Sequence, residues 1–303
     1  MARRRLYLTI VAACIVAMVA VSLWWALPPS IVRRLPPGQT LVYVNTRPLR
    51  DLDALSGPAQ RSSAYQAFVR ESGFDFQHDL DAMALSLQGS PTAPASATVI
   101  LRGRFGSQFT AYLRQHALRQ ERIHGADAYV FPGWTRPQQL LTVLPLGAHE
   151  VLITNRKDAE PVIAHAQRWW PAGPALWRAG NNWRMLAGYA DCNTEQLEAA
   201  RALDGSAPPW QGVERIAISL RGQRDGLLLA ANAEATTTAA AIAAADWVQT
   251  ELHTLRPLLP ERPGQPTLRA LLDRLQTGQQ ERHVWLRLHV DRATLEQWTR
   301  ALQ

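Results

Sequence analysis

ESGFDFQHDLDAMALSLQG, residues 71–89, passes from the end of a helix through an acidic turn into a strand. The turn carries Asp75, His78, Asp79 and Asp81, a set that invites a metal or acid/base reading. A calcium loop needs acids at alternate positions and a glycine for its sharp bend. Here the acids stand at 75, 79 and 81 with no glycine among them, and no second His or Cys lies nearby to complete a zinc site. The structural reading accounts for more. Gly73 stands where a left-handed residue ends a helix, with Phe74 and Val69 placed for the apolar contact of a Schellman cap. Asp75 and Asp79 can accept from free backbone N–H groups in the turn, and Asp81 stands just before the strand. We therefore read a helix–turn–strand unit.

The strand end of this unit sets the fold. ALSLQG at 84–89 recurs as AISLRG at 217–222, each on a strand that follows a helix. Working outward, strands are expected at 40–45, 82–88, 97–105, 128–131, 140–144 and 151–154, and helices at 58–72, 108–119 and 157–169. PAGPALWRAG at 171–180 breaks the pattern. A second series follows: strands at 185–190, 213–221, 226–234 and 282–290, and helices at 194–203, 237–256, 268–275 and 293–302. Ile242, Ala245, Val248, Leu252 and Leu255 step by three and four, which predicts a buried stripe. The expected fold class is α+β: an N-terminal transmembrane helix followed by two ferredoxin-like (β-α-β-β-α-β) repeats with antiparallel sheets. The divisions are a cytoplasmic tip and anchor (1–29), a linker (30–38), a first repeat (39–170), a boundary loop (171–180) and a second repeat (181–303). Trp169, Trp170, Trp177, Trp183 and Trp210 cluster near the boundary and are expected to pack between the halves.

ESGFDFQHDLDAMALSLQG, ATVILRGRF and EVLITNRKDAEPVIAHA together resemble a widespread set of uncharacterised bacterial membrane-anchored envelope proteins. Those carry an N-terminal signal or anchor, a "tGxD…DLD" turn, a "GxF" strand end and a strand–helix unit. Gly103-Arg104-Phe105 fits the strand end, and the resemblance spans residues 36–170. It implies location and fold, with no assigned activity and no catalytic residues.

The charge agrees with an envelope location. The chain carries 32 basic and 25 acidic residues, a formal +7. Arg3, Arg4, Arg5, Arg33 and Arg34 precede the first acid, Asp51, so the remainder is near balance and gives no footprint for nucleic acid. Residues 6–27 carry no charge. As a helix rising about 1.5 Å per residue they would span roughly 30 Å, the thickness of a bilayer core. Arg3–Arg5 before them favour a cytoplasmic N-terminus, and Trp24 and Trp25 suit the far interface. The expected location is the bacterial inner membrane, single-pass, with the C-terminal domain periplasmic; the alternative is a lipoprotein cleaved before Cys14. Cys14 lies in the span and Cys192 in the soluble part, so no intrachain disulfide framework is available.

No phosphate loop, paired-His zinc helix, nucleophile elbow or cysteine cluster occurs, and no cofactor is implied. The candidate site is a strand face. His283, Trp285, Arg287 and His289 alternate with Val284, Leu286, Leu288 and Val290; Arg215 and Arg221 alternate with Ile216, Ile218 and Leu220. Arg102 and Arg104 repeat the pattern in the first half. Such a basic face with an aromatic suits an anionic ligand, a glycan or a partner protein; a solvated or packed sheet face is the plainer reading. The expected function is a membrane-anchored periplasmic interaction or assembly module without catalysis, holding an envelope protein partner. The alternative is a periplasmic ligand-binding protein or a hydrolase using a cleft between the repeats.

Overall fold

The computed structural model describes residues 28–38, 40–47, 63–89, 96–133, 139–156, 158–167, 186–193, 212–258, 268–295 and 297. The expected membrane span (6–27), the boundary loop (171–180), its five tryptophans and the helix at 194–203 lie outside these residues. Among the described residues no helix is long and apolar enough to cross a membrane.

The chain is mixed α+β and dominated by one antiparallel sheet. In chain order the elements are α1 (Ser30–Arg33), β1 (Thr40–Asn45), α2 (Ser63–Ser72), α3 (Phe76–Asp79), β2 (Leu80–Gln88), β3 (Ser96–Gly103), α4 (Ser107–His116), β4 (Arg119–Ile123), β5 (Ala126–Pro132), β6 (Leu140–Pro145) and β7 (Glu150–Thr154). Then come α5 (Glu160–Gln167), β8 (Leu186–Asn193), β9 (Val213–Gln223), β10 (Gly226–Ala235), α6 (Thr238–Leu255), α7 (Leu268–Arg274), β11 (Gln276–Gln280) and β12 (His283–Asp291). Their spatial order is β11-β12-β10-β9-β8-β1-β2-β3-β7-β6-β5-β4.

This order departs from the expected ferredoxin-like topology. A ferredoxin-like unit runs its first two strands parallel with the third inserted between them, whereas here β1 pairs directly and antiparallel with β2, and β3 lies on the far side of β2. The segment between β1 and β2 leaves and re-enters at one end of the sheet. Asn45 stands opposite Ala82, and the Thr46 N–H donates to the Asp81 carbonyl at 3.0 Å. A parallel crossover would have to traverse the strand length. The halves do not form two sheets either, because β1 and β8 pair, with Tyr43 opposite Tyr189.

Directly opposed residues in an antiparallel pair share a sheet face. One face carries Tyr43, Ala84, Ile100, Leu152, Leu144 and Tyr189, and on it α1 and α5 bury Ile31, Val32, Val162 and Ile163. The other carries Leu101, Val151, Val143 and Tyr129 beneath Phe109 and Leu113 of α4. Phe74 is 1% exposed there, with its ring centroid 4.6 Å from that of Phe105. In the second half α6 lies on this second face through Ala241 and Ala244, packed with Val213, Ala235 and Val284. The predicted stripe is therefore rotated: Ile242 and Leu255 are exposed, because the alanine side lets the helix approach the sheet closely.

The segment 30–38 is no loose linker. Ile31, Val32 and Leu35 join the core, and the Ser86 Oγ donates to the Pro36 carbonyl at 2.9 Å. Glu150, 8% exposed, holds the segment's start. Its carboxylate accepts from the Ser30 Oγ at 2.8 Å, from Arg34 at 2.5 Å, and from Arg102 at 2.7 and 3.1 Å. Arg102 therefore closes a buried network beneath α1, not an open face.

Candidate functional site

The acidic turn is built as a turn. Gly73 has φ +65° and its N–H donates to the Val69 carbonyl at 2.8 Å, the single-bond left-handed cap and not the two-bond Schellman form. The Asp75 carboxylate caps α3 by accepting from the Gln77 N–H at 2.8 Å; Asp79 reciprocates by accepting from the Asp75 N–H at 2.9 Å. The Tyr65 hydroxyl and the His78 ring also bond Asp75, at 2.7 and 2.8 Å. Asp79 pairs with Arg104 at 2.9 Å and Asp81 with Arg47 at 2.7 Å. Burial pushes the Tyr65 phenol up to about 12, helped by its bond to Asp75. Burial opposes ionisation of Asp75, yet the bonds from Tyr65 and His78 and the Gln77 N–H hold it below its ordinary value. Among the described residues no three His, Cys, Asp or Glu side chains form a metal-holding group.

The strand-face residues do share one face. Arg287 stands opposite Ala230, which stands opposite Ser219; Trp285 stands opposite Asn232, and Asn232 opposite Ala217; His289 stands opposite Leu228, and Leu228 opposite Arg221. His283 stands opposite Glu234, itself opposite Arg215. Their roles separate. Arg215 forks onto the buried carboxylate of Asp191, with its Nε at 2.5 Å, and the Tyr189 hydroxyl donates to the same carboxylate at 3.1 Å. This ties β8 to β9 and uses Arg215 structurally. Burial first, then the Asp191 charge, push the Tyr189 phenol far up. The same two causes raise the Cys192 thiol, which disfavours the reactive thiolate.

Trp285 and Arg287 form the open part. A Cβ on Gly278 would meet Trp285 ring atoms at 2.3, 2.5 and 2.9 Å, so the indole lies across the glycine of the edge strand. The Arg287 guanidinium carbon lies 5.0 Å from the ring centroid, a cation–π contact. Arg287 and His283 are exposed, Trp285 and Arg221 half-buried, and His289 stands 3.5 Å from Asp225. The small Ala217, Ser219 and Ala230 lie between this platform and Tyr189 and Asp191 on the same face.

A second feature escaped the sequence reading. A cleft of about 830 Å³ lies in the first half, lined among others by Arg119, Arg122, His124, Leu140, Arg156 and Glu160. It lies beside edge strand β4 and the start of α5, not between the halves. Arg119 pairs with Glu121 at 2.6 Å and His124 approaches Glu160 at 3.5 Å. The available signal was His124-Gly125, whose φ angles of 49° and 79° mark a two-residue hairpin turn.

No family model matches the chain, and no curated protein matches it. Crystal form III of TP0453 is similar, with a TM-score of 0.53 at 8% identity, covering 91% of this chain and 97% of that one. The likeness is one of fold. Crystal form IV of TP0453 gives 0.51 at 8% identity over 91% and 96%. It supports a mixed α+β architecture over nearly the whole chain and carries nothing about activity.

Proposed function

We propose that the protein is a membrane-anchored, non-catalytic interaction module of the bacterial envelope, docking a partner protein on the sheet face around Trp285 and Arg287. The Trp285–Arg287 stack on Gly278 carries this reading, because it holds an aromatic and a cation rigidly on a half-open face. With Arg221 nearby, the complementary surface is acidic or aromatic.

The anchor belongs to the same proposal. Residues 6–27 span the inner membrane with the N-terminus cytoplasmic, and the folded part is periplasmic. The packing of Ile31, Val32 and Leu35 supports a domain held close to the bilayer without a free tether. The resemblance to membrane-anchored envelope proteins supports it too: the "tGxD…DLD" turn and the "GxF" strand end meet through the Phe74–Phe105 stack and the Asp79–Arg104 pair. Duplication of a strand–helix–hairpin unit stays within the proposal. The echoing hexapeptides occupy β2 and β9, which flank β1 and β8 in the sheet.

The test is crosslinking in intact envelopes followed by purification of the full chain. A reproducible partner should be lost from Trp285→Ala/Arg287→Ala, with circular dichroism unchanged. Capture that survives both substitutions removes the platform from the account. The ligand-binding reading has one supporting observation, the cleft beside β4. Soluble envelope extracts that protect Arg122 or Arg156 from guanidinium-directed labelling would favour it.

A further inference from the structure

We infer that a second copy of this chain pairs with β11, edge to edge, so that the sheet continues through a two-fold axis at Gly278. Among the described residues β11 pairs only with β12 and ends the sheet. An edge strand presents alternate N–H and C=O groups to any strand that can approach, and charges usually prevent that approach. The two edges here differ. Edge strand β4 reads RQERI, with Arg119, Glu121 and Arg122 on it. Edge strand β11 reads QTGQQ, with neither charge nor proline.

The sequence of β11 is close to self-complementary. Paired antiparallel about Gly278, Gln276 stands opposite Gln280 of the second copy and Thr277 opposite Gln279. No like charges meet; a Gln amide faces a Gln amide and a Thr hydroxyl faces a Gln amide, and both pairs can hydrogen-bond across the strands. Gly278 places no side chain at the axis. The indole of Trp285 already lies over it, so the two rings approach each other across the axis, each stacked by its own Arg287.

The symmetry suits an anchored protein. A two-fold axis relating antiparallel edge strands runs normal to the sheet, so both copies keep the same face on the same side. In each copy the segment through Ile31 and Val32 packs on the first face. Both anchors would then leave toward one bilayer. The pairing deepens the proposed function by naming a partner for the strand beside the platform; it rests on that reading only for the anchor argument.

The test uses the purified full chain in detergent, in a Cys14→Ser background, with Gln276→Cys and Gln280→Cys together. The two positions lie about 13 Å apart in one strand, too far for an intrachain disulfide. Mild oxidation should yield a species of twice the 33.7 kDa chain mass, at least tenfold above a control carrying Arg119→Cys and Ile123→Cys on β4. Adding Thr277→Lys and Gln279→Lys sets like charges opposite each other and should abolish the product. Thr277→Glu with Gln279→Lys sets opposite charges and should restore it. A β11 yield no higher than the β4 control overturns the inference, as does a product indifferent to the charge reversals. Because purified protein alone is used, failure here is separate from failure of envelope partner capture.

Discussion

Replacing Glu150 with alanine tests how the start of the domain is held. The wild-type carboxylate is 8% exposed and accepts four bonds from Ser30, Arg34 and Arg102. Removing one partner of a fully buried pair costs about 3–5 kcal/mol. Arg34 and Arg102 are 31% and 32% exposed, so both can turn toward water once the carboxylate is gone. The expected cost is therefore about 2–3 kcal/mol. In urea that lowers the unfolding midpoint by about 1 M for a slope of roughly 2–3 kcal/mol per M. The loss should be focused locally, with faster hydrogen exchange over residues 31–35. Acid supplies a second arm. Burial pushes Glu150 up, but the bonds from Arg102 and Ser30 and the charges of Arg102 and Arg34 outweigh it, so its folded pKa lies below the ordinary 4.5. Its contribution is present above that ordinary value and fades as pH falls through the lower folded one. The gap between wild type and Glu150→Gln should accordingly be widest near neutrality and close in acid. A midpoint within about 0.2 M of wild type at pH 7, without faster exchange at 31–35, would refute the clamp.

Gly103→Ala puts a Cβ 2.3 Å from the Asp79 carbonyl oxygen, a backbone clash that cannot swing away. Thermal unfolding should show a loss of about 2 kcal/mol or more, while Gly106→Ala, with nothing within 4 Å, stays near wild type. In Asp75→Asn the Tyr65 phenol loses its charged acceptor, and its ultraviolet titration midpoint should fall from about 12 toward 10.0. A midpoint that stays put would assign the shift to burial alone. Gly278→Val should push the Trp285 indole aside and weaken partner capture as much as Trp285→Ala does.

Local chemistry was legible in the sequence and long-range pairing was not. Gly73 announced the helix end because only a residue without a side chain enters the left-handed region cheaply. Alternation along His283–Asp291 placed Trp285, Arg287 and His289 on one face, and the strand register agrees. Strands β4 and β11 left no hydrophobic alternation to read, since RQERI and QTGQQ are edge strands with little to bury. Arg102 looked like part of an open face because its partner, Glu150, lies 48 residues away. Arg215 was lost to the site in the same way through Asp191. The joining of the halves depended on Tyr43 meeting Tyr189, a contact no local pattern encodes. A strand–helix–strand series is equally compatible with parallel and antiparallel neighbours. The deciding fact, that the segment between Asn45 and Ala82 leaves and returns at one sheet end, exists only in the folded chain.

The most direct test of the docking face is site-specific photocrosslinking in living cells, with a benzophenone side chain at His283 on the platform side. The control position is Ile218, also exposed but on the opposite face. The account predicts one recurring adduct from position 283, none from 218, and loss of the adduct when Trp285 is replaced by alanine. Equal adducts from both positions, or none from 283, would contradict it.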